Sequence, residues 1–163
     1  MPVTTRWWQD VPSPATARWS THLANDHKDY SGTPLPKKLG IRDGSRIFLV
    51  DPPPGFERLL TPMPKGATLL TRLGEPLDVG VLFATERAEL TRWFDRSAAM
   101  LDTAGRLWVA WPKKASKVPT DIDFGFAQGI GLDAGLVDNK SASITDVFQG
   151  LQFVYRVKDR PKR

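Results

Sequence analysis

The sequence contains no cysteine, only two histidines and no long apolar run. Without cysteine there is no disulfide framework, thiol nucleophile, iron–sulfur cluster or thiolate zinc site. Two histidines cannot build a three-histidine metal centre. His22 and His27 stand five apart, the wrong spacing for neighbours on one helical face, and no third ligand cluster lies near them. Both fall in an atypical N-terminal stretch, so a Ser–His–Asp triad is not credible, and no metal is expected. No run of about 18 apolar residues is available to span a bilayer. The opening MPVTTRWWQD lacks the basic region and apolar segment of a secretory signal, so a cytoplasmic location is expected, in keeping with the missing disulfides. Lysine, serine and carboxylate remain as the plausible chemical groups.

What is present fits one domain with appendages: 163 residues, with 40% hydrophobic and 25% charged side chains, is globular composition too short for two strong cores. The net charge of +5 is unevenly placed. The last eight residues, RVKDRPKR, carry +4 of it, leaving +1 on residues 1–155. A nucleic-acid groove spreads basic and aromatic side chains over a folded surface, so nucleic acid is not an expected partner, although such a tail can touch phosphates. Residues 1–29 have no sustained period and are broken by Pro2, Pro12 and Pro14, yet hold Trp7, Trp8 and Trp19. They read as a poorly ordered or loosely docked arm, with a tryptophan-anchored partner segment as the functional alternative. Residues 30–157 then form the domain and residues 158–163 a basic tail.

Within that domain, short apolar runs alternate with helical stretches. Residues 36–39 (PKKL) read as a short helix stopped by Gly40. Residues 46–50 (RIFLV) form a first buried strand ending in Asp51, and Pro52-Pro53-Pro54-Gly55 closes it before a short helix at residues 56–60. Strands follow at residues 68–71 and 77–83, the latter (LDVGVLF) apolar enough to be covered on both faces. Thr85 is expected to cap a helix with Leu90, Trp93 and Phe94 on its apolar face; Gly105 breaks it, and residues 106–111 (RLWVAW) form a strand stopped by Pro112. Trp108 and Trp111, three apart, should face opposite sides of the sheet.

Further on, Pro119-Thr120-Asp121 opens a helix with Ile122, Phe126 and Ile130 on one face. Gly125, Gly129 and Gly131 each cost it about 0.8–1 kcal/mol relative to alanine, so it must depend on docking to the sheet. The last two strands, residues 136–144 and 151–157, are too close in sequence for a crossover and must pair antiparallel. The expected architecture is α/β: a three-layer, Rossmann-like sheet, mostly parallel, with an antiparallel closing strand near the C-terminus.

A nucleotide fold sets glycines and a helix N-terminus after its first strand. Here the prolines of DPPPG remove backbone donors at that point, and residues 69–73 (LLTRL) offer no carboxylate for a ribose. No cofactor is therefore expected. Asp51 is a candidate contact for a small ligand at a strand's carboxyl end, or a cap of the local turn. The best-placed polar cluster is Lys113, Lys114, Ser116 and Lys117, at the carboxyl end of the third clear strand, where open α/β sheets bind ligands. It suits phosphate, carboxylate or a nucleic-acid backbone, without the glycine frame of a P-loop; the alternative is a loop whose lysines face water. Asp138, Asn139 and Lys140 form a second group, read as an ion pair around a turn. Lys37 and Lys38, with Ser31 and Thr33, form a third patch.

Residues 30–41 (YSGTPLPKKLGI), 107–119 (LWVAWPKKASKVP) and 135–140 (GLVDNK), with the closing GLQFVYRVKDR, resemble the small, mostly actinobacterial family labelled domain of unknown function 3052. The resemblance runs from Tyr30 to Arg160 and implies a short cytosolic bacterial protein, but supplies no catalytic residues. The layout is also similar to a trimmed class I methyltransferase, which implies a spatial strand order unlike the chain order. The chain departs from the family in residues 1–29, in the glycine-rich FGFAQGIG, and at Phe148, where a tryptophan is expected.

These readings together make a non-catalytic or weakly active binding domain for an anionic small molecule or a protein partner the first expectation. Its surface would use the lysines above, with no adenosine-sized pocket beside Asp51. A divergent methyltransferase-like or nucleotide-dependent enzyme is the alternative, and weak nucleic-acid binding through the tail a second one. A large exposed apolar patch would favour a dimer or a protein partner.

Overall fold

The computed structural model describes residues 34–156; the N-terminal arm, residues 30–33 and the basic tail lie outside them. Six strands form one sheet in the order β2-β1-β3-β4-β6-β5. In chain order the elements are α1 (Leu35–Leu39), β1 (Arg46–Val50), α2 (Phe56–Leu59), β2 (Thr68–Leu70), β3 (Leu77–Phe83), α3 (Arg87–Met100), β4 (Leu101–Pro112), α4 (Phe124–Asp133), β5 (Leu136–Ser143) and β6 (Phe148–Tyr155). Strands β2, β1, β3 and β4 run parallel, while β6 is antiparallel to both β4 and β5. The expected mostly parallel, Rossmann-like sheet with an antiparallel close is the observed one, and its order departs from chain order at both edges.

The central strands are apolar on both sides because each faces a layer of helices. Leu107, Val109 and Trp111 of β4 meet Leu90 and Phe94 of α3, Ala127 of α4, and Leu151 and Phe153 of β6. On the other face Trp108 and Ala110 join Val79, Val81 and Phe83 of β3 against Leu39 of α1 and Phe56 of α2. The two tryptophans thus point to opposite faces, as their spacing requires. Phe83 continues the second core as an edge-on aromatic contact, 5.0 Å from Phe148 and 4.9 Å from Phe56.

Three local expectations are corrected. Strand β4 begins at Leu101 and not after Gly105: Leu77 pairs with Leu101 and Val79 with Arg106, so β4 bulges against β3. Gly105 is the residue that permits this, since a Cβ there would stand 2.9 Å from the Asp78 carbonyl and 3.0 Å from that of Asp102. Thr85 does not cap α3 with its side chain; Asp121 accepts from the Arg87 amide at 2.7 Å, while the Thr85 carbonyl accepts from Thr120 Oγ1 at 2.7 Å. Thr120 and Asp121 are thereby committed to holding α3, and α4 starts later, at Phe124, with Asp123 accepting from the Phe126 amide.

Glycine in α4 has a packing role at one position. A Cβ on Gly131 would enter the ring of Phe153, which is fully buried on β6. Gly131→Ala is expected to destabilise the fold by about 1–3 kcal/mol through overpacking. Urea denaturation checks this; an unchanged midpoint would show that α4 can lift off the sheet without cost.

Candidate functional site

Parallel strands present their carboxyl ends on one edge, and in this sheet the connections that leave β1 and β3 there run in opposite directions, to β2 and to β4. From β1 the chain moves outward to β2, then returns to the other side as β3. Such a reversal opens a crevice above the strand ends. The β5–β6 turn reaches the same edge because β6 starts beside the end of β4, with Pro112 opposite Phe148.

Two clefts open along this edge. The first, about 560 Å³, is walled by Leu35 and Lys38 of α1, by Pro53, Pro54, Gly55, Phe56 and Leu59 of the β1–α2 segment, and by residues 143–147 of the β5–β6 turn. Its lining is mainly apolar, and Leu59 is half exposed into it. The second, about 820 Å³, lies between residues 111–114 and 117–124, with Gln149 at its floor. Both volumes lie within the usual range for small-molecule sites. Asp51 itself lines neither cleft; it adopts a left-handed backbone, φ 49°, where the chain turns into the prolines.

The sequence-predicted lysines divide between these clefts. Lys113, Lys114 and Lys117 border the second, and Lys38 the first. Lys37 lies on neither, facing a shallow depression beside Ile41 and Met63. Ser116 is structural: its hydroxyl donates to the Lys113 carbonyl at 2.6 Å and accepts from the Val118 amide at 3.3 Å.

The Asp138–Lys140 ion pair is not formed, and the three residues stand in β5, not in a turn. Asp138 accepts from Gln128, Asn139 from Gln152 Nε2 at 2.8 Å, and Lys140 donates to the Lys38 carbonyl at 3.0 Å. The register shift between Asp138 and Lys140 accounts for this, since it moves Lys140 off its alternation. Lys140 Nζ also stands 6.0 Å from the Trp108 ring centre.

Ser143, which the sequence reading passed over, joins the lysines. Its hydroxyl accepts from Lys113 Nζ at 2.7 Å and its carbonyl from Lys38 Nζ at 3.2 Å. Burial pushes the Lys113 ammonium below the ordinary lysine range; Asp146 opposes the shift and Lys38 adds to it. Burial, then the charge of Lys140, lowers Lys38 likewise. The available sequence signal was the turn beside it: Thr145 Oγ1 accepts from the amides of Val147 and Phe148, a hydroxyl-capped turn that SITDVF announces. Among the described residues no cluster of three or more metal-type ligands occurs, and no helix is long and apolar enough to cross a membrane.

No family model matches the sequence, and no curated protein matches it either. Solved structures do. The fold is similar to magnesium protoporphyrin IX methyltransferase from Synechocystis, solved with bound SAH, at a TM-score of 0.57 and 11% identity over 93% of both chains. With bound SAM the same enzyme gives 0.55 and 11% identity over 93% of this chain and 88% of that one. A chain from a Haloferax volcanii complex containing the Trm112 methyltransferase activator gives 0.56 and 12% identity, over 94% of this chain and 99% of that one. The chain has the Rossmann-like fold of these methyltransferases. The expectation of a non-catalytic binding domain is corrected on this finding, because the sheet it took for a disused scaffold is shared, nearly end to end, with methyltransferases. Its alternative is the better supported reading.

The half-buried lysines make stability depend on pH in a defined sense. Folding lowers their proton affinity, so in alkaline solution the folded chain releases protons before the unfolded chain does. Unfolded protein then holds more protons, and stability rises with pH up to the ordinary lysine value. Between about pH 7 and about pH 10, wild type should gain stability relative to K38Q/K113Q. Parallel slopes in denaturation at several pH values would contradict this.

Proposed function

We propose that this chain is a methyltransferase-like enzyme that acts on a small molecule at the carboxyl edge of its sheet. The observation that carries the reading is the strand order β2-β1-β3-β4-β6-β5, with its reversal between β1 and β3 and its antiparallel close. The cleft beside the β1–α2 segment supports it, since it opens on the carboxyl edge next to the loop that follows β1. The Synechocystis methyltransferase of similar fold was solved with SAH and with SAM, which makes S-adenosylmethionine, a donor of methyl groups, the cosubstrate to test.

The residues after β1 do not fit that cosubstrate in a backbone-held manner. Pro52, Pro53 and Pro54 have no N–H, and the Phe56 amide already donates to the Pro53 carbonyl at 3.0 Å. Beyond β2 stand Thr71 and Arg72, not a carboxylate. A cosubstrate on this edge has to be held by cleft walls, with Phe56 and Leu59 on one side and Ile144 and Val147 on the other. Membership of the family labelled domain of unknown function 3052, on the strength of WPKKAS and GLVDNK, and a cytoplasmic location belong to the same proposal.

Calorimetric titration of the full chain with S-adenosylmethionine and S-adenosylhomocysteine tests the reading. Micromolar dissociation constants are expected for both. An absence of saturable heat at millimolar ligand would remove the methyl-transfer reading.

A further inference from the structure

The second cleft holds charge of both signs, sorted along its lining. Lys113, Lys114 and Lys117 follow β4, while Asp121 and Asp123 lead into α4. Lys113 Nζ donates to the Ser143 hydroxyl at 2.7 Å, so this bond stands between the two clefts. Lys114 and Lys117 have no side-chain hydrogen bond or ion pair among the described residues. Lys117 also holds a left-handed backbone, φ 62°, at the end of the turn over Lys114–Ser116, a conformation that suits glycine better. Each carboxylate gives one oxygen to the scaffold: Asp121 Oδ1 accepts from the Arg87 amide at 2.7 Å and Asp123 Oδ1 from the Phe126 amide at 2.8 Å. The other oxygen of Asp121 has no partner among the described residues, and that of Asp123 has the Arg87 guanidinium at 3.7 Å. Much of the remaining lining is apolar, with Trp111, Val118 and Ile122 buried and Phe124 half exposed.

A lone anion in this cleft gains at the lysines but is set against Asp121 and Asp123, and a lone cation meets the reverse. A molecule with both charges on one body satisfies both groups. We propose that the second cleft receives a small zwitterion, amino acid-like in its chemistry. Its acid group lies at Lys114 and Lys117, its ammonium at Asp121 and Asp123, and its apolar body against Ile122 and Phe124. This names the acceptor class for the carboxyl edge. It rests on the methyltransferase-like reading for the word acceptor, and on side-chain placement for the ligand's charge pattern. The apolar walls assigned to the cosubstrate belong to the first cleft, so the two ligands do not share a surface.

The full chain is titrated calorimetrically with para-(aminomethyl)benzoate and with its two singly charged analogues, para-methylbenzoate and para-methylbenzylamine. The flexible ε-aminocaproate, with hexanoate and hexylamine as its halves, repeats the comparison. In at least one series the zwitterion is expected to bind tighter than either half by roughly threefold to tenfold, between the worth of an exposed ion pair and that of a charge-assisted hydrogen bond. K114Q/K117G should bring the zwitterion down to the affinity of the amine with no fall in melting temperature, because glycine suits the left-handed position. D121N/D123N, which keeps an acceptor for each backbone amide, should bring it down to the affinity of the acid.

An acid or amine that binds as tightly as its zwitterion in both series would overturn the proposal, whatever the variants do. So would the absence of saturable heat from either zwitterion at millimolar concentration, or undiminished zwitterion binding in folded K114Q/K117G or D121N/D123N. If a double variant does not fold, K114Q or D123N alone is read against wild type in the same way. S-adenosylhomocysteine, which has an ammonium and a carboxylate of its own, should leave the zwitterion bound; displacement would overturn the proposal, since one cleft would then take both. Zwitterion binding without S-adenosylmethionine binding would remove the methyl-transfer reading and leave the cleft's ligand standing. S-adenosylmethionine binding without zwitterion binding would remove only the zwitterion.

Discussion

The hydrogen bond from the Trp108 indole to the Leu39 carbonyl, 3.0 Å long and fully buried, joins the middle of the sheet to the end of α1. A helix of five residues has no stability of its own in water. It stays in place because Pro36 and Leu39 are buried, Gly40 turns the chain away in a left-handed conformation, and Trp108 takes up its last carbonyl. Such a bond adds about 1 kcal/mol net, but leaving the carbonyl buried and unpaired costs about 1–3 kcal/mol. Lys38 precedes the bonded carbonyl by one residue. The position of its ammonium beside Ser143 is therefore a consequence of core packing around β4.

The two ends of the sheet treat charge differently. At the amino edge Arg46 and Asp78 pair directly: the carboxylate accepts from the Arg46 amide at 2.8 Å and from Nε at 3.0 Å. Burial is the largest single influence on Asp78 and pushes its carboxyl up, yet the bonds from Arg46 outweigh it and leave the group below the usual carboxylate range. At the carboxyl edge burial also leads, but Lys113 meets the Ser143 hydroxyl, the charge of Asp146, which opposes the shift, and that of Lys38, which adds to it. One end is a satisfied structural pair. At the other, charges of both signs act on a half-buried lysine in opposite senses, and burial decides the direction.

Much of the scaffold was legible because its signals are local. Residues 46–50 and 77–83 are strands at the bounds their apolar runs indicate, and the antiparallel close follows from the short link between the last two. What escaped is non-local. The cap of α3 comes from Asp121, thirty-four residues after Arg87, and Lys38 meets Ser143 across 105 residues. No periodicity carries that information. The early start of β4 escaped for a different reason: Gly105 reads as a breaker, but in the fold it lets the bulged strand pass close to Asp78. At Phe148 an aromatic was legible and its role was not; the ring is fully buried and edge-on to Phe83, a place that needs no indole N–H.

The proline loop and the polar side chains around the β5–β6 turn face the same cleft. A Rossmann edge ordinarily meets its ligand with backbone amides, which are fixed by the strand-to-helix turn and need no charge. With prolines at positions 52–54 three of those donors are missing, and what stands in their place is a stiff, apolar wall leading into a helix of four residues. A stiff wall gives shape but no orientation. Orientation on this edge must come from side chains, and the polar ones that line the cleft are Lys38 from α1 and Ser143, Thr145 and Asp146 around the β5–β6 turn. Because they are held by α1 and by the β5–β6 turn, and not by the proline loop, the edge can lose backbone donors and still bind with direction.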